Sequence, residues 1–212
     1  MKRIGLFFLV LGTCLPVRGS DFSVDFPKYT NVFKTSLIGP AWGSLPSTSE
    51  YRLLYEVSTG KYQSVQAGIS YFGKSPFLQS FMGSGGPSYF VRGHRIQYMH
   101  RFFFRAPEFD PIGWYIGPMA SYAMAKYSLY PWIYKNRYVK AEHSFFAIVV
   151  GKQVRWWKRF YMDMFTGMGY KKNRVTQFYP NNTTKPVDLG DWDEILESNI
   201  KLTFGFNVGF GF

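Results

Sequence analysis

The three histidines are the first residues to inspect for catalysis, and His143 is directly followed by Ser144. A histidine base beside a serine hydroxyl is the core of one form of nucleophilic catalysis. Neighbouring residues of a strand point to opposite faces, so this pair can cooperate only if a strand begins after Ser144. We therefore expect structural or interfacial histidines at His94, His100 and His143, and no catalytic residue.

Other chemistry-bearing patterns are missing from the sequence. There is no cluster of metal ligands, and the GSGG stretch at residues 83–86 lacks the Lys-Ser/Thr that would follow it in a phosphate-binding loop. The stretch is better interpreted as a flexible loop. No metal and no cofactor are expected.

A secretory signal peptide is predicted at the start of the chain. Two basic residues precede the apolar run IGLFFLVLGT, and small residues stand at the cleavage positions. We expect the signal peptide to cover residues 1–19 and a periplasmic lead-in to cover residues 20–30. The alternative is lipoprotein processing, in which Cys14 would be acylated and retained.

The last thirteen residues, IKLTFGFNVGFGF, alternate without exception between bulky apolar side chains and small or polar ones. Only an extended strand places alternate side chains on opposite faces. In a soluble sheet the solvent face is usually charged, whereas here the polar face is small and rich in glycine. Aromatic residues at every second position are typical of a strand that faces lipid.

This strand resembles the last strand of the small OmpA/OmpX-type outer-membrane β-barrels of Gram-negative bacteria, which ends in phenylalanine after alternating apolar residues. The resemblance implies an outer-membrane location. It also implies an assembly signal that the barrel-assembly machinery reads, formed by Phe204, Phe206, Val208, Phe210 and Phe212. Some small barrels modify lipid A, so an acyl hydrolase or acyltransferase stays an alternative, although the His-x-Ser motif of the lipid A deacylases is missing.

The same alternation recurs along the chain and predicts an all-β fold, a closed eight-stranded antiparallel up-and-down transmembrane β-barrel over residues 31–212. No apolar run after the signal segment reaches the ~18–20 residues of a spanning helix. Pro118 interrupts the fifth strand and would be tolerated at a bulge. The strands are predicted at residues 31–43, 50–58, 62–72, 93–105, 114–127, 142–154, 160–170 and 200–212.

The connections between these strands have a parity. Those after strands two, four and six are short, and those after three, five and seven are long, as in bacterial outer-membrane barrels with both termini in the periplasm. The first outer connection, predicted at six residues, departs from this pattern.

A soluble, secreted, lipocalin-like barrel with its aromatic faces inward is the competing fold. The packed core of an eight-stranded barrel takes about twelve side chains in three layers. The predicted apolar faces carry roughly thirty bulky residues, which is too many for that space. We therefore expect the aromatic faces outside and mostly small or polar side chains inside.

Several polar residues fall on the inward parity of the predicted strands. Because buried charges must be paired, they are expected to form a salt-bridged, hydrogen-bonded barrel interior. An ion or proton path is the alternative. The residues are Arg52, Glu56, Arg95, Gln97, Arg101, Asp163 and Lys201.

The chain is basic, with a formal net charge of +12. Loss of the three basic residues of the signal segment would lower this to about +9. Nucleic acid is not an expected partner in the envelope, whereas phosphates of lipopolysaccharide suit basic residues near the outer strand ends, unless these are ordinary solvated charges. Those residues are Lys126, Lys135, Arg137, Lys140, Lys171, Lys172 and Arg174.

The function expected from the sequence is that of a non-enzymatic outer-membrane barrel, structural or exposed at the surface. Its outer loops are expected to bind lipopolysaccharide or an external partner.

Overall fold

The computed structural model describes residues 29–40, 48–75, 89–104, 110–129, 138–179, 184–186 and 199–212. In these ranges every regular element is a strand. The predicted signal peptide with Cys14, the GSGG stretch and most of the lead-in lie outside them. The strands are β1 (Asn31–Ser36), β2 (Thr48–Gly60), β3 (Gln63–Lys74), β4 (Tyr89–Phe103), β5 (Gly113–Leu129), β6 (Tyr138–Trp157), β7 (Phe160–Phe178), β8 (Thr184–Pro186) and β9 (Ile200–Gly211).

Eight of these strands form a closed antiparallel barrel. Strands β1 to β7 pair in chain order, and β9 closes the barrel between β7 and β1. The closure is in register on both sides, since Phe210 lies opposite Phe33 on β1 and opposite Phe160 on β7. The short β8 pairs with the end of β7 and is not part of the closure. The predicted eight-stranded up-and-down barrel is confirmed.

The two ends of the barrel differ in their connections. Strands β2 and β3, and likewise β6 and β7, are joined by two residues each, at the end where β1 begins and β9 finishes. We call this the turn end and the opposite one the loop end. The expected six-residue first connection is wrong, because β1 stops at Ser36 and β2 starts at Thr48, which leaves eleven residues between them. Pro40 therefore lies in a turn and not in the strand.

Two further sequence-based expectations are corrected, one on strand ends and one on a bulge. Strands β6 and β7 continue to the pair Tyr138 and Phe178, because their backbones keep pairing through polar residues after the apolar alternation has ended. Pro118 is not at a bulge, since Met99 with Met119 and Phe102 with Ile116 keep the same register on either side of it. The pairing with β4 is interrupted between these two residue pairs, which is where Pro118 lies. On its other side Pro118 still lies opposite Ile148 of β6.

The outside of the barrel is apolar, and much of the inside is polar. Leu202 and Phe204 on β9 are 73% and 72% exposed, whereas Glu56, Arg101 and Asp163 are fully buried. This arrangement is opposite to that of a water-soluble barrel, and it does not match the alternative with inward aromatic faces.

The interior is less uniformly small than the sequence suggested. One wall, from β4 to β7, carries a buried apolar cluster that includes Met99, Tyr115, Met119, Phe145 and Phe165. Glycine on the neighbouring strand β9 makes room for it, because Gly205 is the ladder partner of Phe165 and a Cβ there would clash with the Phe165 ring. A large side chain on β7 is thus accommodated by a small residue on the strand beside it.

Candidate functional site in the barrel interior

Four charged side chains from four strands meet in the middle of the barrel. They are Lys34 of β1, Glu56 of β2, Arg101 of β4 and Asp163 of β7, and we call them the plug. Each lies on the inner face because of the two-residue alternation of its strand, and none is more than 2% exposed.

Cations and anions alternate within the plug. Lys34 contacts the Oε2 atom of Glu56, and its Nζ lies 3.4 Å from Oδ2 of Asp163. The Arg101 guanidinium lies 2.8 Å from Oδ2 of Asp163 and 3.3 Å from Oε1 of Glu56. Two positive and two negative groups therefore compensate one another, which is the condition for keeping charges out of water.

Neutral side chains complete the plug. The Tyr115 hydroxyl donates a hydrogen bond to Oδ1 of Asp163 at 2.7 Å, and the Asn207 amide donates to Oδ2 at 3.2 Å. Gln153 accepts from Arg101 at 2.8 Å and donates to Glu56 at 3.1 Å. These neutral side chains are fully buried as well, so the described side chains of the plug pack together in the middle of the lumen.

A second polar layer lies between the plug and the turn end. Asp110 forms an ion pair with Arg155 and accepts a hydrogen bond from the Tyr161 hydroxyl at 2.9 Å. Tyr29 packs there too, and its hydroxyl accepts from Nε of Arg159 at 3.1 Å. A second set of paired side chains thus lies inside the barrel at this level.

A chamber of about 190 Å³ occupies the half of the lumen nearer the loop end. The wall of the chamber nearest the plug is apolar. Met119, Phe145 and Phe165 line it, and they belong to the same cluster as Tyr115. The chamber is therefore separated from the plug by packed apolar side chains. Its polar lining includes Glu50, Arg52, Arg95, Gln97, Ser121 and Lys201.

Charged side chains line the chamber. Among the described residues that line it Glu50 is the carboxylate, and its Oε1 atom lies 2.8 Å from Nη2 of Arg52 and 3.2 Å from Nη1 of Arg95. A third cation, Lys201, has its Nζ 3.4 Å from Nε2 of His143. Ile38, Leu202 and Phe204 also line the chamber, at the part of the wall where β9 extends past its pairing with β1.

The structure distributes the seven predicted interior residues between these two layers. Glu56, Arg101 and Asp163 lie in the plug, and Arg52, Arg95, Gln97 and Lys201 line the chamber.

Sequence reasoning missed Glu50, although it is in phase with Arg52 and Glu56 at the start of the strand. It also left Lys34 out of the network, although the parity of β1 pointed that side chain inward. Gln153, Asn207 and Tyr115 carried no signal, because a hydrogen-bond partner across the lumen cannot be found in a local pattern.

The side chains of His143 and Ser144 point to opposite sides of the barrel wall. His143 faces the interior at 4% exposure, with Nδ1 2.6 Å from Oδ1 of Asn173, whereas Ser144 faces outward. His94 and His100 also face outward, and Nε2 of His100 lies 3.1 Å from Oε1 of Gln63. Within the described ranges, no group of three or more metal-ligating side chains comes together.

Basic residues surround the loop end on the outer surface. Lys126 lies beside Lys140 in the ladder, and Arg174 lies beside Glu142. Lys140 also forms an ion pair with Glu142 at 2.9 Å. Of the remaining residues predicted to meet lipopolysaccharide, Lys172 faces outward and Lys171 inward by the alternation of β7, and Lys135 and Arg137 lie outside the described residues.

Comparison with solved structures shows a similarity to a major outer membrane protein from Thermus thermophilus. The match covers 86% of this chain and 98% of that protein's chain, with 8% identity and a TM-score of 0.48. No protein-family model matches the sequence. No curated protein matches it either. Among the described residues, no helix is long and apolar enough to cross a membrane.

Proposed function

We propose that this chain is an integral outer-membrane β-barrel protein, non-enzymatic, with a structural or surface-exposed role. In this proposal the loop end faces the cell exterior and the turn end faces the periplasm. Both chain termini lie on the periplasmic side. The observation that carries it is the polarity of the closed barrel, which is apolar outside and charged inside.

The height of the apolar surface supports the proposal. On β7 the outward side chains run from Phe160 to Tyr170, and on β9 from Phe210 back to Ile200, with the two ends paired in the ladder. Eleven residues of tilted strand match the ~9–11 residues that cross a bilayer. The next outward residue of β7, Lys172, is charged and exposed, which fits a membrane boundary at Tyr170.

Aromatic residues stand at the turn-end boundary of the same surface. Trp156 and Trp157 are 78% and 66% exposed, and Trp114 and Phe160 lie at the ends of their strands. Such belts are typical of membrane barrels, because these rings favour the region of the lipid head groups.

The filled lumen supports a role without transport of large solutes. Two polar layers and the apolar cluster occupy the barrel between the chamber and the turn end. The opposite orientation of His143 and Ser144 favours the non-enzymatic proposal over lipid A modification.

Two finer parts of the proposal concern partners. We propose that the basic outer surface at the loop end meets phosphates of lipopolysaccharide, because Lys126, Lys172 and Arg174 lie just beyond the apolar surface. We also propose that the outward face of β9 serves as the strand read by the barrel-assembly machinery. On this face Phe212 stacks on Phe33, with ring centroids 5.3 Å apart.

The test of membrane insertion is gel migration in detergent before and after boiling, together with cell fractionation. We expect a shift on boiling and recovery in the outer-membrane fraction. Met164→Arg places a charge on the lipid face, about halfway between Phe160 and Tyr170, and should cost about 2–4 kcal/mol of folding free energy in a bilayer. Recovery of the wild-type protein in a periplasmic wash without detergent would overturn the proposal.

A separate test addresses catalysis. Cells that express the wild type, His143→Ala or Ser144→Ala should have the same lipid A profile. A profile that changes with the wild type and returns to normal with either variant would establish the enzymatic alternative.

A further inference from the structure

We propose that a groove on the outer surface of the barrel, across strands β4 to β7, holds one acyl chain of the lipid A part of lipopolysaccharide. A phosphate of the same lipid contacts Lys172 at one end of the groove. The inference rests on the proposed function, because it needs the barrel in an outer membrane with its loop end outside.

The groove lies on two adjacent outward rows of the ladder, and eight residues of these rows line a volume of about 580 Å³. The row nearer the loop end consists of Ile96, Tyr122, Ser144 and Lys172. The other row consists of Tyr98, Ala120, Phe146 and Tyr170.

Two small side chains form the floor of the groove. Ala120 of β5 lies between Tyr98 and Phe146 in its row, and Ser144 of β6 belongs to the other row. Because Phe146 is the ladder partner of Ala120, Ser144 is its diagonal neighbour on the adjacent strand. The two small residues therefore leave one continuous depression between large side chains.

The groove rises toward the loop end as it passes from β4 to β7. One ladder row joins Gln63, the first residue of β3, to Thr166, the seventh residue of β7. Both strands begin directly after a turn-end connection, so the same row is farther from the turn end on β7 than on β3. Lys172 is therefore at the end of the groove nearest the loop end, and Tyr98 is at the opposite end.

The end of the groove at Lys172 can accept an anion. Lys172 is exposed and makes no hydrogen bond or ion pair within the described part of the chain. Arg174 follows it on the same face and lies opposite Glu142. That carboxylate is held by Lys140 at 2.9 Å and accepts a hydrogen bond from the Tyr122 hydroxyl at 2.9 Å. A phosphate can thus contact Lys172 without breaking an ion pair of the protein.

The order of charge and apolar surface matches a membrane lipid. Four strands span three spacings of ~4.8 Å, about 14 Å in all, which is comparable to half of the ~30 Å hydrocarbon core. One acyl chain therefore fits along the groove with its head group at the charged end. In the proposed orientation this end lies in the outer leaflet, whose phosphorylated lipid is lipopolysaccharide.

The experiment is native mass spectrometry of the full chain in detergent micelles, titrated with lipid A. We expect one bound lipid A with a Kd below about 10 µM. Lipid A without its phosphates should bind about tenfold more weakly, because it lacks the charge that meets Lys172. Phosphatidylglycerol should also bind about tenfold more weakly, since its single phosphate cannot contact both Lys172 and Arg174.

Two substitutions locate the site, and each has a matched control. Ala120→Phe fills the floor of the groove and Lys172→Gln removes its terminal charge, so each should weaken lipid A binding about tenfold. Ala67→Phe makes the first change on the outward face of β3, outside the groove. Lys152→Gln makes the second change where the side chain lies over Trp114. Both controls should keep the affinity within about twofold.

The gel shift on boiling separates a failure of this site from a failure of the proposed function. Wild-type protein that inserts normally but binds lipid A no better than Ala120→Phe and Lys172→Gln do would overturn the groove alone. Recovery of the wild type in a periplasmic wash would overturn both proposals.

Two other results would assign the groove to a different occupant and overturn the inference. One is phosphatidylglycerol binding as tightly as lipid A. The other is a dimer of the wild type that Ala120→Phe converts to a monomer, which would show a second copy of the chain in the groove. If Ala120→Phe does not insert, Lys172→Gln decides the test, because Lys172 lies beyond the apolar surface.

Discussion

The plug and the chamber are two layers of one lumen, built from the same kinds of side chain, yet they differ in how closely they are packed. In the plug, two cations face two anions, and neutral donors complete the bonds of Asp163. None of its four charged side chains is more than 2% exposed. In the chamber, Arg52 and Arg95 both contact Glu50 beside a cavity of about 190 Å³. The charges of the plug are enclosed by packed side chains, whereas those of the chamber border a space that can hold water.

The same difference determines how each layer responds to mutation. Removal of one charge from a balanced, fully buried set leaves its partner unpaired and costs about 3–5 kcal/mol. Removal of a charge that borders a cavity costs less, because water can enter the cavity and solvate the partner that is left. Substitutions of equal chemistry should therefore have unequal effects in the two layers.

The largest effect is expected for Asp163→Asn in the plug. The change leaves Lys34 and Arg101 with Glu56 as their remaining counter-charge in that layer, so we expect a loss of about 3–5 kcal/mol of unfolding free energy. Urea titration of the protein in lipid vesicles measures it. Glu142→Gln is the control, because that carboxylate lies near the loop end with its partner partly exposed, and it should cost about 1 kcal/mol or less.

An equal cost for Asp163→Asn and Glu142→Gln would contradict the interpretation of the plug. It would mean that water reaches the plug and that the layer does not close the lumen.

An intermediate effect is expected for Glu50→Gln in the chamber. The amide still accepts hydrogen bonds from Arg52 and Arg95, but both guanidinium groups lose a counter-charge. We expect a loss of about 1–3 kcal/mol of unfolding free energy, which is less than for Asp163→Asn because water can enter the adjacent cavity. Urea titration in lipid vesicles measures it.

A loss for Glu50→Gln as large as that for Asp163→Asn would show that the chamber excludes water as completely as the plug does.

Local alternation predicted much of this architecture but not the difference between its layers. It places Arg52, Arg101 and Lys201 on inward faces, and these side chains lie inside the barrel. Which of them meet depends on strand tilt and on register across the closure, where Asp163 lies opposite Asn207 some forty residues later in the chain. Such pairing is set by the whole barrel, so no local pattern could divide the seven residues into a plug and a chamber.

The boundaries failed for related reasons. Backbone pairing of β6 and β7 continues past the last apolar side chain, so hydrophobic periodicity marks the lipid-facing surface and not the end of a strand. Glu50 was missed because a strand start is the least certain position in such a pattern.

The smallest effect is expected for Lys201→Gln. Its comparison with Lys34→Gln is the sharpest test of the difference between the two layers. The two changes are chemically identical and lie on adjacent strands, β9 and β1. In the plug, Lys34→Gln removes one of two cations and should cost about 3–5 kcal/mol, because Glu56 and Asp163 then share Arg101. In the chamber, Lys201→Gln should change the unfolding free energy by about 1 kcal/mol or less, because the adjacent cavity lets water solvate the groups around it. Urea titration of both variants in lipid vesicles measures the difference. Equal costs at the two positions would show that water is excluded from both layers alike.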